Sequence, residues 1–558
     1  MILRGVGRRY GPRGPWVLRG LDLDLPPHTL VRIEGANGAG KSTLLRLLAG
    51  IDAPAEGHVT GRPCTAYVPE RFPPALPFTA AGYLVHMGRV HGLPTDRAAA
   101  RAQGWLTRFG AAEHAATPLW ELSKGTAQKV AVAQALLAEP ELLVLDEAWT
   151  GLDAAARGAL DEAVAERIAD GATVVFVDHD PRRLAGPAGV VYRLEGRALT
   201  PVTGRPADPG PYVRIGATCG APAALPPGLP GAPEVERDAG NPAAVRLTTT
   251  AAHSDAVLHA LITARPPWHI TGLSRLPAAV PSPVPDTVPH RAPAGPVRGR
   301  APAVEGTLAP ARDGTPFPAR GTATRRARAS GPAVRGQAAV MRYQAALLAR
   351  SQRWLAPVLL YAAVLGIGVR AGQPLLDSLG YAAAVLLPVA AWLTRLCVTQ
   401  EPPAARAVTA AAVGPARSHL AALSTGFAGA SVLGGVGTGI VLLISEPAGT
   451  GHTVAVPLLP AALAGALAAV CCALLGTAVG ALCARPVVHR RGWSLAAMLL
   501  GSLLALVAEG SPARAAVSGL VSGSLTGTVH VPLMPAAGAA AAAAAAAVLT
   551  SRRAAVRG

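Results

Sequence analysis

A single stretch, residues 30–48 with the sequence LVRIEGANGAGKSTLLRLL, constrains the possible fold more than any other part of this 558-residue chain. A short strand-like run leads into a glycine-rich turn, and a leucine-rich helix follows directly, which is the context that the pattern G-x-x-x-x-G-K-S requires. Glycines let backbone N–H groups turn inward around a phosphate, and a helix start adds free N–H groups and a positive dipole end. The sequence therefore predicts a nucleotide-binding P-loop with the candidate residues Gly35, Asn37, Gly38, Ala39, Gly40, Lys41, Ser42 and Thr43.

Two further apolar runs end in side chains suited to phosphate chemistry. Residues 141–145 precede Asp146 and Glu147, and a third apolar strand ends just before His179. We expect Asp146 to hold Mg²⁺ together with the Ser42 hydroxyl, and Glu147 to polarise an attacking water. An imidazole at the end of a neighbouring strand can reach the γ-phosphate side of such a site. The expected cofactors are therefore a nucleoside triphosphate and Mg²⁺.

Two candidate residues each have an ordinary structural explanation beside the functional one. Ser123, in LSKGT before a helix-like stretch, is either only a helix cap or a phosphate ligand at a helix end. Tyr10 is either a surface tyrosine in a turn or a ring that stacks on adenine. Neither residue alone shows whether its role is structural or functional.

The order of these motifs resembles that of the ATP-binding cassette (ABC) ATPases over residues 1–200. The resemblance implies an α/β P-loop NTPase domain, followed here by an all-α polytopic membrane domain. It also implies that Tyr10 stacks on adenine, that Glu147 is the catalytic carboxylate and that His179 is the switch histidine. Residues 151–153, GLD, match the D-loop of that family.

Two positions depart from the family pattern. Glu70 stands where the family usually has the Q-loop glutamine, and it remains a candidate Mg²⁺ ligand. The signature reads LSKGT where LSGGQ is usual, but Ser123 and Gly125, the phosphate-contacting pair, are kept. Because Glu147 and His179 also remain, we expect ATP hydrolysis. The family binds ATP between two head-to-tail copies, with the signature of one protomer on the ATP of the other, so we expect a homodimer or a pair with a related half-transporter.

The C-terminal part of the chain is strongly apolar. Hydrophobic residues make up 51% of the whole sequence, and they concentrate after residue 336. Residues 337–353 predict an amphipathic helix lying in the membrane interface, and six apolar runs follow it. The expected spans are residues 354–369, 378–394, 419–444, 457–483, 493–508 and 531–550.

The arginines indicate how these spans are oriented. The formal net charge is +18, and nearly all basic residues are arginine. Arginines cluster before the first expected span, between the second and third, between the fourth and fifth, and after the sixth. The positive-inside rule then places both termini in the cytoplasm and predicts a multi-pass protein of the cytoplasmic membrane.

The middle of the chain has a different composition. Residues 201–275 predict a small α/β accessory subdomain, with strands near residues 245–247 and 268–270 and a helix after Ser254. Residues 276–335 are rich in Pro, Ala, Gly and Arg, and we expect a disordered basic linker. This linker is either a plain tether or a contact to membrane lipid headgroups. Nucleic acid is not an expected partner, because no aromatic residues interleave with the arginines.

An N-terminal cassette followed by six spans resembles the white-type, type-2 exporter half-transporters in its topology. The resemblance implies an ATP-driven exporter whose cytoplasmic loop, residues 395–417, contacts the ATPase domain. Two alternatives stay open. One is a membrane-bound ATPase with a mechanical or regulatory role and no transport, and the other is a subunit that needs a different partner.

Overall fold

The computed structural model forms two compact units, Met1–Thr203 with Arg326–Gly558, and Gly204–Arg325. The described residues are the whole chain apart from 12–13, 74, 181–182, 185–188, 203–211, 220–224, 227–228, 230–232, 239–240, 251–253, 265, 277–331, 451–453, 488–490 and 558. Most of the expected linker thus lies outside the described residues.

The first part of the larger unit is an α/β domain. Its strands are β1 (Ile2–Arg9), β2 (Trp16–Asp24), β3 (Leu30–Glu34), β4 (Glu56–Thr60), β5 (Thr65–Val68), β6 (Leu142–Asp146), β7 (Thr173–Val177), β8 (Val190–Glu195) and β9 (Ala198–Pro201). Its α-helices are α1 (Lys41–Leu48), α2 (Ala80–Val90), α3 (Thr95–Arg108), α4 (Lys124–Leu136) and α5 (Ala154–Ala169).

The central sheet has the strand order β5-β6-β7-β3-β8-β9, and only the β8–β9 pair is antiparallel. All five residues of β6 and of β7 are buried. Parallel sheets are covered on both faces, which is why these strands are continuous apolar runs. Asp146 pairs with Val177 at the ends of β6 and β7. The residues that follow both strands therefore lie at one edge of the sheet.

A second, antiparallel sheet with the order β2-β1-β4 packs beside the P-loop helix. Its buried residues share a core with those of α1, including Leu3, Leu18, Leu44 and Leu45. Because β1 ends at Arg9, this sheet brings Tyr10 next to the start of α1.

The unit Gly204–Arg325 is a four-stranded antiparallel sheet with one helix. Its elements are β10 (Tyr212–Thr218), β11 (Glu234–Asp238), β12 (Asn241–Thr250), α6 (Ser254–Thr263) and β13 (His269–Leu276), and the strand order is β11-β12-β10-β13. Leu247, Val257, Leu261 and Trp268 are buried together between helix and sheet. The helix begins at Ser254, where one was expected, whereas the two strands β10 and β11 were not anticipated.

The rest of the larger unit is helical. Its helices are α7 (Pro332–Arg350), α8 (Leu355–Gly368), α9 (Leu375–Thr399), α10 (Pro403–Val413), α11 (Pro415–Ile444), α12 (Leu458–Cys483), α13 (Arg491–Val507), α14 (Pro512–Thr526) and α15 (Leu533–Arg557). Among the described residues, four helices are long and apolar enough to cross a membrane, namely α9, α11, α12 and most of α15. Helices α13 and α14 add a fifth span if this pair, bent by 47°, counts as one, and α8 is a shorter apolar helix.

Helix α14 corrects the expectation that a loop joins residue 508 to residue 531. Its sequence, PARAAVSGLVSGSLT, has no long apolar run. It is nevertheless helical, because Ala513, Ala516 and Leu520 are buried in the core that α9 and α12 also form.

Helices α7 and α10 pack directly on the α/β domain. Tyr343 of α7 is fully buried and stacks on Phe78, with ring centroids 5.6 Å apart. The apolar face of α7 therefore contacts protein, where the sequence had favoured lipid. Val408 of α10 lies in the same core, and Ala407 and Ala410 lie in the core that includes α1. The loop expected to contact the ATPase domain thus contains a helix that completes two of its apolar cores.

Candidate functional site

The P-loop connects β3 to α1 by a turn in which two positions have a backbone conformation that favours glycine. Gly35 has φ 153°, and a Cβ there would lie 2.7 Å from the Leu194 carbonyl oxygen. Gly40 has φ 105° and is the N-cap of α1, so no side chain caps the first N–H groups of that helix. The Lys41 Nζ donates to the carbonyl oxygens of Gly35 (2.7 Å) and Ala36 (3.1 Å), which closes the loop on itself. The loop therefore combines free N–H groups, a helix dipole and an ammonium group.

Asp146, at the end of β6, is buried and accepts two hydrogen bonds. The Ser42 hydroxyl donates at 3.2 Å and the Tyr67 hydroxyl donates at 3.1 Å. Burial raises the pKa of Asp146 to about 6, and the charges of Glu147 and Glu70 add to this effect, while the two hydrogen bonds oppose it. A buried carboxylate beside a hydroxyl is an oxygen donor set suited to Mg²⁺. The residues present therefore fit the expected metal.

Glu147 and His179 lie together at the edge of the sheet. The His179 Nε2 is 2.7 Å from the Glu147 Oε1, and the Glu147 N–H donates to the Val177 carbonyl oxygen at 3.0 Å. Glu147 has φ 51°, a left-handed conformation that turns the chain sharply after β6. The side chain of Glu147 is only 16% exposed, whereas that of His179 is 59% exposed. This pair can hold and pass a proton.

Tyr10 lies beside the start of α1. Its hydroxyl is 3.2 Å from the Thr43 Oγ1, and the Arg8 guanidinium lies 5.0 Å from its ring centroid. The residue is 50% exposed, so part of its ring remains accessible. Arg8 in turn contacts the fully buried Asp52 at 3.6 Å, and Arg46 of α1 donates twice to the same carboxylate, at 3.0 and 3.1 Å. A buried ionic cluster therefore fixes Tyr10 relative to the P-loop helix.

Ser123 and Gly125 form a separate group at the N-terminus of α4. The Ser123 Oγ accepts from the Thr126 N–H at 3.1 Å, so Ser123 is a helix cap. A Cβ on Gly125 would lie 2.9 Å from the Gly151 carbonyl oxygen, which brings the signature against the D-loop. Within the described part of the chain, no hydrogen bond or ion pair joins Ser123 or Gly125 to the P-loop or Asp146.

Glu70 lies on the exposed side of the site. Its carboxylate is 3.5 Å from the Arg71 Nε, and both side chains are largely solvated. Glu70 acts on Asp146 only through its charge, since it raises the pKa of that group.

Comparison with known proteins agrees with this geometry. A family model described as "ABC transporter" matches residues 18–150. The zinc import ATP-binding protein ZnuC of Cereibacter sphaeroides is 43% identical over 169 residues, which are 29% of this chain and 67% of that protein. The chain belongs to the ABC transporter ATPase family. The cassette is thus the α/β domain, and the apolar helices follow it in the same chain.

Other similar proteins differ in organisation and in named role. The macrolide export ATP-binding/permease protein MacB 1/2 of Paracoccus denitrificans is 36% identical over 234 residues, which are 38% of this chain and 34% of that protein. A solved structure described as the ATP binding subunit of an ABC transporter aligns with 24% identity and a TM-score of 0.34, over 36% of this chain and 89% of that one. The relatives thus include proteins named for import and for export, so membership of the family leaves the direction of transport open.

Two residues of the cassette site were not found from the sequence. Tyr67 bonds Asp146, and its only signal was its place on an apolar strand just before Glu70. Arg32 is buried within β3 and donates to the carbonyl oxygens of Asp180 and Arg183, both at 2.9 Å. It therefore ties the segment after His179 to the strand that leads into the P-loop. The available sequence signal for Arg32 was the presence of a charged residue inside an otherwise apolar strand.

Proposed function

We propose that this chain is a half-transporter of the cytoplasmic membrane that hydrolyses ATP and exports a substrate as a dimer. The observation that carries the proposal is the direct packing of α7 and α10 into the apolar cores of the cassette. Movement of the cassette must move these helices, because a close-packed interior transmits displacement. The helices α9 and α11 continue directly from α10 on either side.

Different residues of the cassette bind the nucleotide and catalyse its hydrolysis. Lys41 and the free N–H groups at the start of α1 bind the β- and γ-phosphates, and Tyr10 stacks on adenine. Ser42 and Asp146 would hold Mg²⁺, with Glu70 as a further carboxylate, and the bound ion would neutralise phosphate charge. The remaining roles belong to Glu147 and His179.

Glu147 accepts a proton from the attacking water, since its carboxylate lies next to Asp146 and within the shielded edge of the sheet. His179 holds that carboxylate in place from 2.7 Å and lies on the γ-phosphate side. The strain at the left-handed Glu147 is consistent with a functional position, where such conformations concentrate.

The position of the signature supports the proposed dimer. Gly125 lies against its own D-loop at Gly151 and the Ser123 hydroxyl bonds the Thr126 N–H, whereas no described hydrogen bond or ion pair joins either residue to its own P-loop. In a head-to-tail dimer, the N-terminal end of α4 and the Ser123 hydroxyl that caps it would meet the ATP of the partner protomer. A homodimer provides this arrangement with one kind of chain, and a dimer with a related half-transporter would provide it equally.

The membrane arrangement that we propose has six crossings and both termini in the cytoplasm. We count as crossings the four long apolar helices, the bent pair α13–α14 and the shorter α8, of which length and composition support four or five among the described residues. The arginines near α8, α9, α12 and α15 then lie on the cytoplasmic side. We infer export because one chain carries both the cassette and the apolar helices, as the name of the MacB relative also states for that protein. An amphiphilic cargo suits spans rich in Ala, Gly, Leu and Val.

The test is ATP turnover by the full chain in lipid vesicles, beside a Glu147→Gln variant. We expect turnover to fall by about 100-fold or more, since general-base catalysis contributes at least that factor, while a fluorescent ATP analogue still binds. Glu162→Gln, at a glutamate whose side chain is 74% exposed, is the matched control.

Two results would change the proposal. Unchanged turnover in Glu147→Gln would remove this residue from the catalytic role. A wild-type chain that binds nucleotide but does not hydrolyse it would favour a regulatory protein or a subunit that needs another partner, and the Glu70 and LSKGT departures would then be the residues to examine.

A further inference from the structure

Two adjoining cavities lie where the apolar helices meet the cassette, away from the nucleotide site. Their volumes are about 410 and 510 Å³. Both are lined by Glu401, Pro403, Arg406 and Arg485, so we treat them as one recess. The recess is large enough for a phosphate group with its substituents.

Five arginines line this recess, and one of them, Arg46, is already paired with Asp52. Arg353 and Arg395 join Arg406 and Arg485 around the larger cavity. None of the four forms an ion pair with a carboxylate in the part of the chain that the structure describes. Such a group of cations in a partly enclosed space is self-repelling, and an anion would relieve that repulsion.

Most guanidinium donors of these arginines remain available. Arg395 donates from Nε to the Ser494 Oγ at 3.0 Å. Arg406 donates from one terminal nitrogen to the carbonyl oxygens of Val398 (3.2 Å) and Glu401 (3.0 Å). Each guanidinium carries five N–H donors, so these bonds hold the two side chains in position and leave other donors free.

Glu401 is the one acidic residue that lines the recess among the described residues, and its carboxylate is already bonded. The Gln344 Nε2 donates to it at 2.9 Å and the Thr409 hydroxyl donates at 3.3 Å. Only 4% of Glu401 is exposed, and burial raises the pKa of its carboxyl group, although Arg406 partly offsets this rise. The carboxyl oxygens of Glu401 are therefore already engaged by Gln344 and Thr409.

The position of the recess indicates what can reach it. Arg353 lies two residues before α8, Arg395 lies one turn before the end of α9, and Arg485 lies two residues after α12. These are helix ends that the arginine pattern assigns to the cytoplasmic surface of the membrane. Anionic lipid headgroups and soluble phosphate compounds both occur there.

We propose that this recess binds a phosphate group through Arg353, Arg395, Arg406 and Arg485. Guanidinium groups match the geometry of phosphate oxygens, with two parallel hydrogen bonds from each arginine. The phosphate is carried either by an anionic phospholipid or by a small soluble compound. An occupied recess would join α8, α9, α10 and the end of α12 at the base of the cassette.

The experiment measures binding to the purified full chain in neutral detergent. The probes are dioleoylphosphatidylglycerol, dioleoylphosphatidylcholine and the soluble glycerol 1-phosphate, and native mass spectrometry gives the apparent Kd of each. The test variant is Arg353→Gln/Arg485→Gln, because both residues are exposed and the structure gives neither side chain a hydrogen bond among the described residues. The matched control is Arg342→Gln/Arg417→Gln, which removes the same charge from exposed positions outside the recess.

We expect the wild-type chain to prefer an anionic probe and the test variant to bind it roughly thirtyfold more weakly. Tight phosphatidylglycerol binding without competition by glycerol 1-phosphate identifies a lipid site, and competition by that compound identifies a soluble phosphate site. Equal binding of all three probes, or equal weakening in the test and control variants, would overturn the proposal. Because the experiment measures binding, its result does not depend on whether the chain hydrolyses ATP or transports a substrate. Equal elution volumes of all variants exclude misfolding.

Discussion

Replacing Asp52 by Asn removes the one acid from a buried cluster that connects the P-loop helix to Tyr10. Asp52 is fully buried, and its carboxylate accepts two hydrogen bonds from Arg46 and lies 3.6 Å from Arg8, which is also buried. In the variant, two guanidinium groups would share a neutral amide that also carries donors of its own. The two guanidinium groups would then lose the carboxylate that offsets their mutual repulsion.

The expected loss of stability is large. Breaking a buried ion pair by removing one partner typically costs about 3–5 kcal/mol, because the remaining charge stays buried. For a domain of about 200 residues, each kcal/mol lowers Tm by roughly 2–4 °C. We therefore expect the Tm of the cassette to fall by about 10 °C. Binding of a fluorescent ATP analogue should also weaken, since Arg8 no longer holds Tyr10.

Asp24→Asn is the matched control for this measurement. Asp24 also pairs with an arginine, Arg4 at 2.7 Å, but the two side chains are 66% and 45% exposed. Water solvates either partner after the pair is broken, so Tm should hardly change. Thermal unfolding of the full chain, followed by tryptophan fluorescence, gives both values. A fall in Asp52→Asn no larger than that in Asp24→Asn would refute the reasoning.

Two further predictions concern the nucleotide site. Gly125→Ala should lower ATP turnover at least tenfold with nucleotide binding retained, because the added Cβ would lie 2.9 Å from the Gly151 carbonyl oxygen and displace the signature; unchanged turnover would contradict this. Asp146→Asn should stabilise the nucleotide-free chain at pH 8 but not at pH 4, as measured by Tm at both pH values. The pKa of Asp146 rises from 3.8 to about 6 on folding, so its contribution to stability is present below pH 3.8 and is lost as the pH rises through 6. The pKa shift corresponds to about 3 kcal/mol in the free energy of unfolding, from which about 1 kcal/mol is subtracted for the hydrogen bond that the variant loses. An equal Tm difference between variant and wild type at both pH values would show that burial of the charge is not the cause.

The strands that carry the nucleotide site could be predicted because each is buried on both faces. Strands β6 and β7 are therefore apolar apart from Asp146 at the end of one and Thr173 at the start of the other. Glu147 follows β6 directly, and His179 lies two residues after β7. The bond from Tyr67 to Asp146 could not be predicted in the same way. These residues are 79 positions apart, and they meet only because β5 and β6 pair in parallel.

The helices between the apolar spans were harder to predict for a different reason. Helix α10 buries Ala405, Ala407 and Ala410, and α14 buries Ala513 and Ala516. Alanine contributes little hydrophobicity to a sequence pattern, yet it allows close approach between helices and favours helical structure. The stability of these two helices comes from the surfaces they contact, which a local pattern does not contain.

The packing of α7 into the cassette also has a consequence for biosynthesis. Phe78 and Tyr83 belong to a core that also contains Tyr343 of α7 and Val408 of α10. Tyr343 is translated about 260 residues after Tyr83, which takes roughly 10–50 s at ordinary rates of synthesis. During that interval Phe78 and Tyr83 of the nascent cassette lack these packing partners. Its maturation is therefore timed by delivery of the following helices to the membrane, and a chain truncated before residue 343 should be a client of chaperones.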